Sequence, residues 1–159
     1  MLFFRESSSG LILPVCARGA SQVRVTTLNN LEDNKCCFVC GHDNPEGLKL
    51  QFQYHENGKK VETTFVPPKK FQGWKDVVHG GIIVTLLDEV MAKAAQRSGY
   101  SVLTGEIQAR FKNPARVLEP LRLEAEIEDV RKKIVYARAA AYREDGTLVA
   151  EAKSKMFLI

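Results

Sequence analysis

The residues best placed to do chemistry are Val78-His79-Gly80-Gly81 and, further along the same apolar-periodic segment, Asp88 and Glu89. Two adjacent glycines at a helix start cost backbone entropy, so they need a reason. Close packing is one. The other is that bare backbone N–H groups there can bind a developing oxyanion with the helix dipole behind them. On a wheel of about 100° per residue, the apolar stripe centres on Leu87, Ile83 and Ala94. Asp88 lies at its margin and Glu89 on the polar face. A carboxylate bordering a buried stripe is partly desolvated and can act as base or nucleophile; a plain surface Asp is the simpler account of the same position. Glu89 reads as solvated. Gly80 and Asp88 are about 12 Å apart along one helix. Both can touch one carbonyl only if two antiparallel helices meet in a dimer.

The cysteines are Cys16, Cys36, Cys37 and Cys40. Adjacent and near-adjacent cysteines make a poor disulfide framework, and a chain of this length needs none, so the expected compartment is reducing, that is, cytoplasmic. Cys37 and Cys40, with Cys36 and His42 nearby, have the spacing of half a zinc site. A structural zinc takes two ligand pairs and no second pair is apparent, so no metal is expected. The segment reads instead as a buried loop cap beside the site.

The elements that must position these groups are mostly strands. Residues 48–55 alternate apolar and polar, 56–59 carry an Asn-Gly turn, and 60–66 return until Pro67-Pro68 stops them. Residues 71–78 read as a loop around Gly73 and the only tryptophan, Trp74. The helix spans 80–97 and ends at Gly99. Three alternating stretches then cover 103–111, 121–130 and 134–142, and a fourth covers 148–158 after the turn Glu144-Asp145-Gly146. In the first of them strict alternation places Leu103, Gly105, Ile107, Ala109 and Phe111 on one face. Thr104, Glu106, Gln108 and Arg110 fall on the other. The fold class is therefore α+β, an antiparallel sheet of about six strands wrapped around one long helix. Its exposed edges favour dimerisation by edge-to-edge pairing.

With 159 residues, 45% hydrophobic and 26% charged, the chain suits one globular domain. Its 23 basic and 19 acidic residues leave a net charge of +4, too mild and too scattered for a nucleic-acid partner. That field still suits an acidic ligand. No stretch approaches the ~20 apolar residues of a membrane span. Residues 1–30 hold Arg5, Arg18 and Arg24 against the single acid Glu6 and a Ser7-Ser8-Ser9-Gly10 run. They lack a secretory core; their composition suits an organelle transit peptide or, more plainly, a flexible tail before a domain over 31–159.

The strings Phe71-Gln72-Gly73-Trp74, Val78-His79-Gly80-Gly81, Leu86-Leu87-Asp88 and Thr104-Gly105-Glu106 resemble the hotdog-fold acyl-CoA thioesterases. The likeness is to the phenylacetate-pathway and 4-hydroxybenzoyl-CoA thioesterase branch. Cys37-Phe38-Val39-Cys40-Gly41, with Asn44-Pro45 and Gly47-Leu48, resembles a bacterial and archaeal subgroup. The resemblance spans residues 36–159. It implies hydrolysis of an acyl-CoA to free acid and coenzyme A, with no cofactor, by a homodimer or dimer of dimers whose sites cross the interface. It implies that Asp88 attacks the thioester or activates water, the Gly80 N–H binds the oxyanion, and His79 orients the acyl group. Thr104 would position water, and Gln72 would bond the thioester carbonyl. Gly81, Trp74 and Glu106 would line the substrate. The rival is a hotdog module that binds acyl-CoA without cleaving it, which has no use for Asp88. A hotdog hydratase would need a His downstream of Asp88, and none follows it.

Overall fold

The computed structural model describes Cys16, residues 33–55 and residues 60–159. The expected turn at 56–59 and, Cys16 apart, the expected flexible tail lie outside the described residues. Along residues 33–159 the described elements follow in this order: β1 (Gln53–Tyr54), β2 (Lys60–Phe65), a 3-10 turn (Lys69–Phe71), β3 (Gln72–Trp74), β4 (Val77–Val78), α1 (Gly80–Arg97), β5 (Val102–Phe111), β6 (Leu121–Arg131), β7 (Ile134–Arg143) and β8 (Leu148–Leu158). Six strands form one antiparallel sheet in the order β1-β2-β6-β7-β8-β5, and β3 and β4 form a separate ribbon.

The helix has the bounds its stripe predicts. Ile83, Leu86, Leu87, Val90, Met91, Ala94 and Ala95 are buried along it, and Gly99 leaves it at a φ of +86°, where a side chain would strain. The stripe lies across the sheet and meets all five longer strands. Ala137, Ala139 and Ala141 of β7 and Ala152 of β8 are buried beneath it. Such small side chains in the central strands let a helix settle close to a sheet. Larger ones, Leu121, Leu123, Val135 and Met156, fill the ends.

Three expectations need correction. The first strand is two residues long rather than eight, because Lys49 takes a φ of 55° and breaks the extended run. Leu48 and Leu50 donate instead to Phe38 O (2.9 Å) and Val39 O (3.0 Å). Residues 33–50 thereby form a strap on the core, with Val39 and Leu50 buried. Residues 71–78 are not a loop. The β3–β4 ribbon occupies them, tied to the helix entrance by His79 N–H donating to Phe71 O at 2.8 Å. Finally, Cys36 is bonded to Cys16 as a disulfide, with Cα atoms 5.7 Å apart. The clustering of the other three cysteines hid a partner 20 residues upstream. Among the described residues, no helix is long and apolar enough to cross a membrane.

Candidate active site

The Asp88 carboxylate accepts a hydrogen bond from the Thr104 hydroxyl, Oγ1 to Oδ1, at 2.7 Å. Two features create this pair. The stripe margin leaves Asp88 half-buried between the core and the edge strand. The edge strand then bulges: β5 and β8 pair Thr104 with Met156 but Glu106 with Lys155, so Gly105 is an extra residue. Strict alternation had put Thr104 on the outer face with Glu106. The bulge turns Thr104 inward to Asp88 while Glu106 stays outside. Glycine lets the Phe157 ring lie against the bulge, since a Cβ there would lie 2.1 Å from Phe157 Cε2 and force that ring to move.

Burial pushes the Asp88 carboxyl above the usual Asp range; the Thr104 hydrogen bond works against this, and the neighbouring Glu89 charge adds to it. Such a group is a stronger base than a solvated Asp. Thr104→Val should therefore lower turnover about tenfold with the fold intact, by loss of one charge-assisted bond. Thr104→Ser should retain activity. Steady-state kinetics on both checks this, and normal turnover in the valine variant would exclude the hydroxyl from the chemistry.

A second group of candidate residues gathers at the helix entrance. His79 caps α1, its Nδ1 accepting from Gly81 N–H at 3.0 Å. The cap fixes the ring and consumes the Gly81 donor. Gly80, the first helical residue, has no carbonyl one turn back for its N–H. A Cβ on Gly80 would sit 3.2 Å from the Phe111 ring, and one on Gly73 would sit 3.2 Å from His79 Cα. Gly80 and Gly73 thus both serve close packing, which gives Gly80 the structural one of its two reasons. Phe111 forms an aromatic wall over Gly80, which the alternation of β5 alone did not single out for that place.

The remaining candidates are less engaged. Gln72 Oε1 accepts from Asp76 N–H within its own turn, at 3.4 Å. Trp74 is 84% exposed at the tip of the ribbon. Glu106 is paired with Lys155 across the strands, at 2.8 Å. Glu89 departs from its solvated reading. Its side chain is 14% exposed, beside Lys93 at 3.6 Å. The strap covers this side of α1, a second buried face that a single-stripe wheel leaves out. There, burial and the Glu89 carboxylate push the Cys40 thiol up to about 12, which removes it as a nucleophile.

The two groups, Asp88–Thr104 in mid-helix and Gly80–His79 at its start, thus lie about 12 Å apart along α1. The broad outer face of the sheet is no substitute. Its concavity is lined by Lys60, Arg110, Glu124, Glu126, Glu128 and Arg138, largely paired with one another, on the side away from α1.

Residues 75–150 match the model of the thioesterase superfamily. Acyl-coenzyme A thioesterase THEM5 of Mus musculus is 26% identical over 113 residues, which cover 71% of this chain and 46% of that protein. The chain thus spans about half the length of the curated relatives it matches. Among solved structures, the thioesterase superfamily protein RHA08564 superposes with a TM-score of 0.73 at 23% identity, over 79% of this chain and 61% of the other. Smu.793 of Streptococcus mutans UA159, bound to acetyl CoA, gives 0.65 at 18% identity, over 69% and 88%. At these identities the solved structures establish the fold, one helix against a six-stranded antiparallel sheet. The chain is therefore similar to the thioesterase superfamily over residues 75–150 and shares the fold of solved thioesterase-superfamily proteins.

Proposed function

We propose that the protein is an acyl-CoA thioesterase whose active site is completed by a second copy of the chain. The observation that carries this is the half-buried, hydroxyl-bonded Asp88 opening beside an unpaired sheet edge. In this reading the thioester carbonyl oxygen lies on the Gly80 N–H, where the helix dipole favours developing negative charge. Asp88 of the partner takes a proton from water held with Thr104, and water oxygen bonds the carbonyl carbon. The C–S bond then breaks, and coenzyme A leaves as a thiolate needing no strong general acid. His79 fixes the helix entrance and orients the acyl group. Trp74, Gly81 and Glu106 border the substrate path, and Gln72 reaches the carbonyl by leaving its turn.

The edge supports the assembly. Among the described residues, β5 pairs only with β8 in the sheet, and Leu103 and Phe111 on it are exposed, as is Phe157 beside it. An open strand with apolar side chains is a surface that proteins cover. Pairing β5 with its copy makes a homodimer, antiparallel helices facing each other, and two dimers can assemble further. Free Cys37 and Cys40 fit a reducing compartment such as the cytoplasm, whereas the Cys16–Cys36 bond is the feature an oxidising one would favour.

The relatives' names support the substrate class: an acyl-coenzyme A thioesterase in mouse, and a streptococcal neighbour with acetyl CoA bound. Thiol release from short, long and aromatic acyl-CoAs tests the proposal. Turnover of at least one is expected. Binding across the panel without any release would replace the enzyme with an acyl-CoA-binding module.

A further inference from the structure

Among the described residues, one further cluster of chemistry-bearing groups lies outside the site. Cys37, Cys40 and Glu89 each bring one ligand atom to within 4.8 Å of the other two, all half-buried. Cys37 Sγ is 3.8 Å from Glu89 Oε2. Donors 2.0–2.3 Å from a tetrahedral zinc are themselves about 3.3–3.8 Å apart, so these atoms already stand near the required spacing.

The turn that carries the sulfurs is built for convergence. Gly41 N–H donates to Cys37 O at 2.9 Å, closing the chain back on itself, and Val39 N–H donates to Cys37 Sγ at 3.4 Å. Gly41 has to lack a side chain, since a Cβ would lie 2.4 Å from Cys37 N and 2.6 Å from Lys35 O, both backbone atoms. Cys36, in its disulfide with Cys16, is spoken for, which leaves Cys37 and Cys40 as the free thiols. Glu89 arrives from α1, on another element altogether, which is why the spacing of the cysteines alone showed no further ligand. Two thiolates and one carboxylate against a divalent cation leave one negative charge. Lys93 Nζ, 3.6 Å from Glu89 Oε1 and 3.0 Å from Gln96 Oε1, stands beside them to balance it.

We propose that Cys37, Cys40 and Glu89 bind a zinc ion, with water as fourth ligand. Both thiols lose their protons to solvent on binding. The ion clips the strap to α1 at the residue after Asp88, so its role is positional, and it rests on no assumption about the reaction.

Cobalt is the probe. The full chain, stripped with chelator and kept reduced at Cys37 and Cys40, is titrated with Co(II) and followed by absorbance. One equivalent should raise a near-ultraviolet thiolate-to-cobalt band and the visible bands of a four-coordinate site, all removed by adding zinc. Cys40→Ser should lose about half the thiolate band and bind more than tenfold more weakly. Glu89→Gln should keep the band but weaken binding at least tenfold. A Cys16→Ser/Cys36→Ser pair should behave as wild type, and circular dichroism checks that each variant is folded. Absence of the band in wild type, an unchanged titration in Cys40→Ser, or loss of the band in the Cys16/Cys36 pair would each overturn the site. None of these readouts depends on thioester hydrolysis, so the two readings fail separately.

Discussion

Asp88→Asn should lower thioester turnover on the order of a thousandfold, the usual contribution of a positioned base or nucleophile, while leaving the fold as stable as before or slightly more so. Both halves follow from the surroundings of the side chain. An Asn oxygen still accepts the Thr104 hydroxyl, so the 2.7 Å contact survives. Burial raises the pKa of Asp88, which means that its ionised form is disfavoured in the folded state. A neutral isostere removes that penalty, as is common where a site holds a group for chemistry rather than for stability. Kinetics and thermal melting on the same preparations check the pair of outcomes. Loss of both activity and stability would mean that Asp88 is structural.

Leu87→Ala should have the largest effect on the fold. Leu87 is completely buried in the middle of α1, between the helix and the sheet. Removing its side chain there costs about 3 kcal/mol in lost transfer energy and cavity. For a chain of this size that is about 9 °C in melting temperature. Leu87→Met keeps the volume and should cost no more than about 1.5 kcal/mol. Urea unfolding at fixed protein concentration measures both. Equal, small losses would show that the helix–sheet seam is loosely packed.

Much of this architecture was legible from periodicity. The helix bounds 80–97 followed from one apolar stripe and a terminal glycine, and the last three strands followed from alternation. The candidate site was legible in the sequence at Asp88, a carboxylate at the margin of an apolar stripe, and the structure brings it to Thr104. Alternation failed where the backbone departs from it. The bulge at Gly105 reverses the face of Thr104, and only the pairing of β5 with β8 reveals it. A wheel with a single buried stripe failed for Glu89, because the strap from 33–50 covers a second face of α1 with residues distant in the chain. The Cys16–Cys36 bond was missed for a similar reason, since cysteine spacing weighs neighbours more than partners across a loop. Gln72 kept its amide for its own turn, a local competition that motif position does not show.

The central claim is that Asp88 of one chain acts with Gly80 of the other. Asp88→Asn removes the carboxylate, and Gly80→Pro removes the N–H while remaining acceptable at a first helical position. Each variant alone should be nearly inactive. Unfolded together in equal amounts and refolded, half of the dimers are mixed, and each mixed dimer regains one intact site of two. Turnover should return to roughly a quarter of the wild-type value. A mixture as inactive as its parents, with mixed dimers demonstrated by mass, would contradict a shared site and confine the chemistry to a single chain.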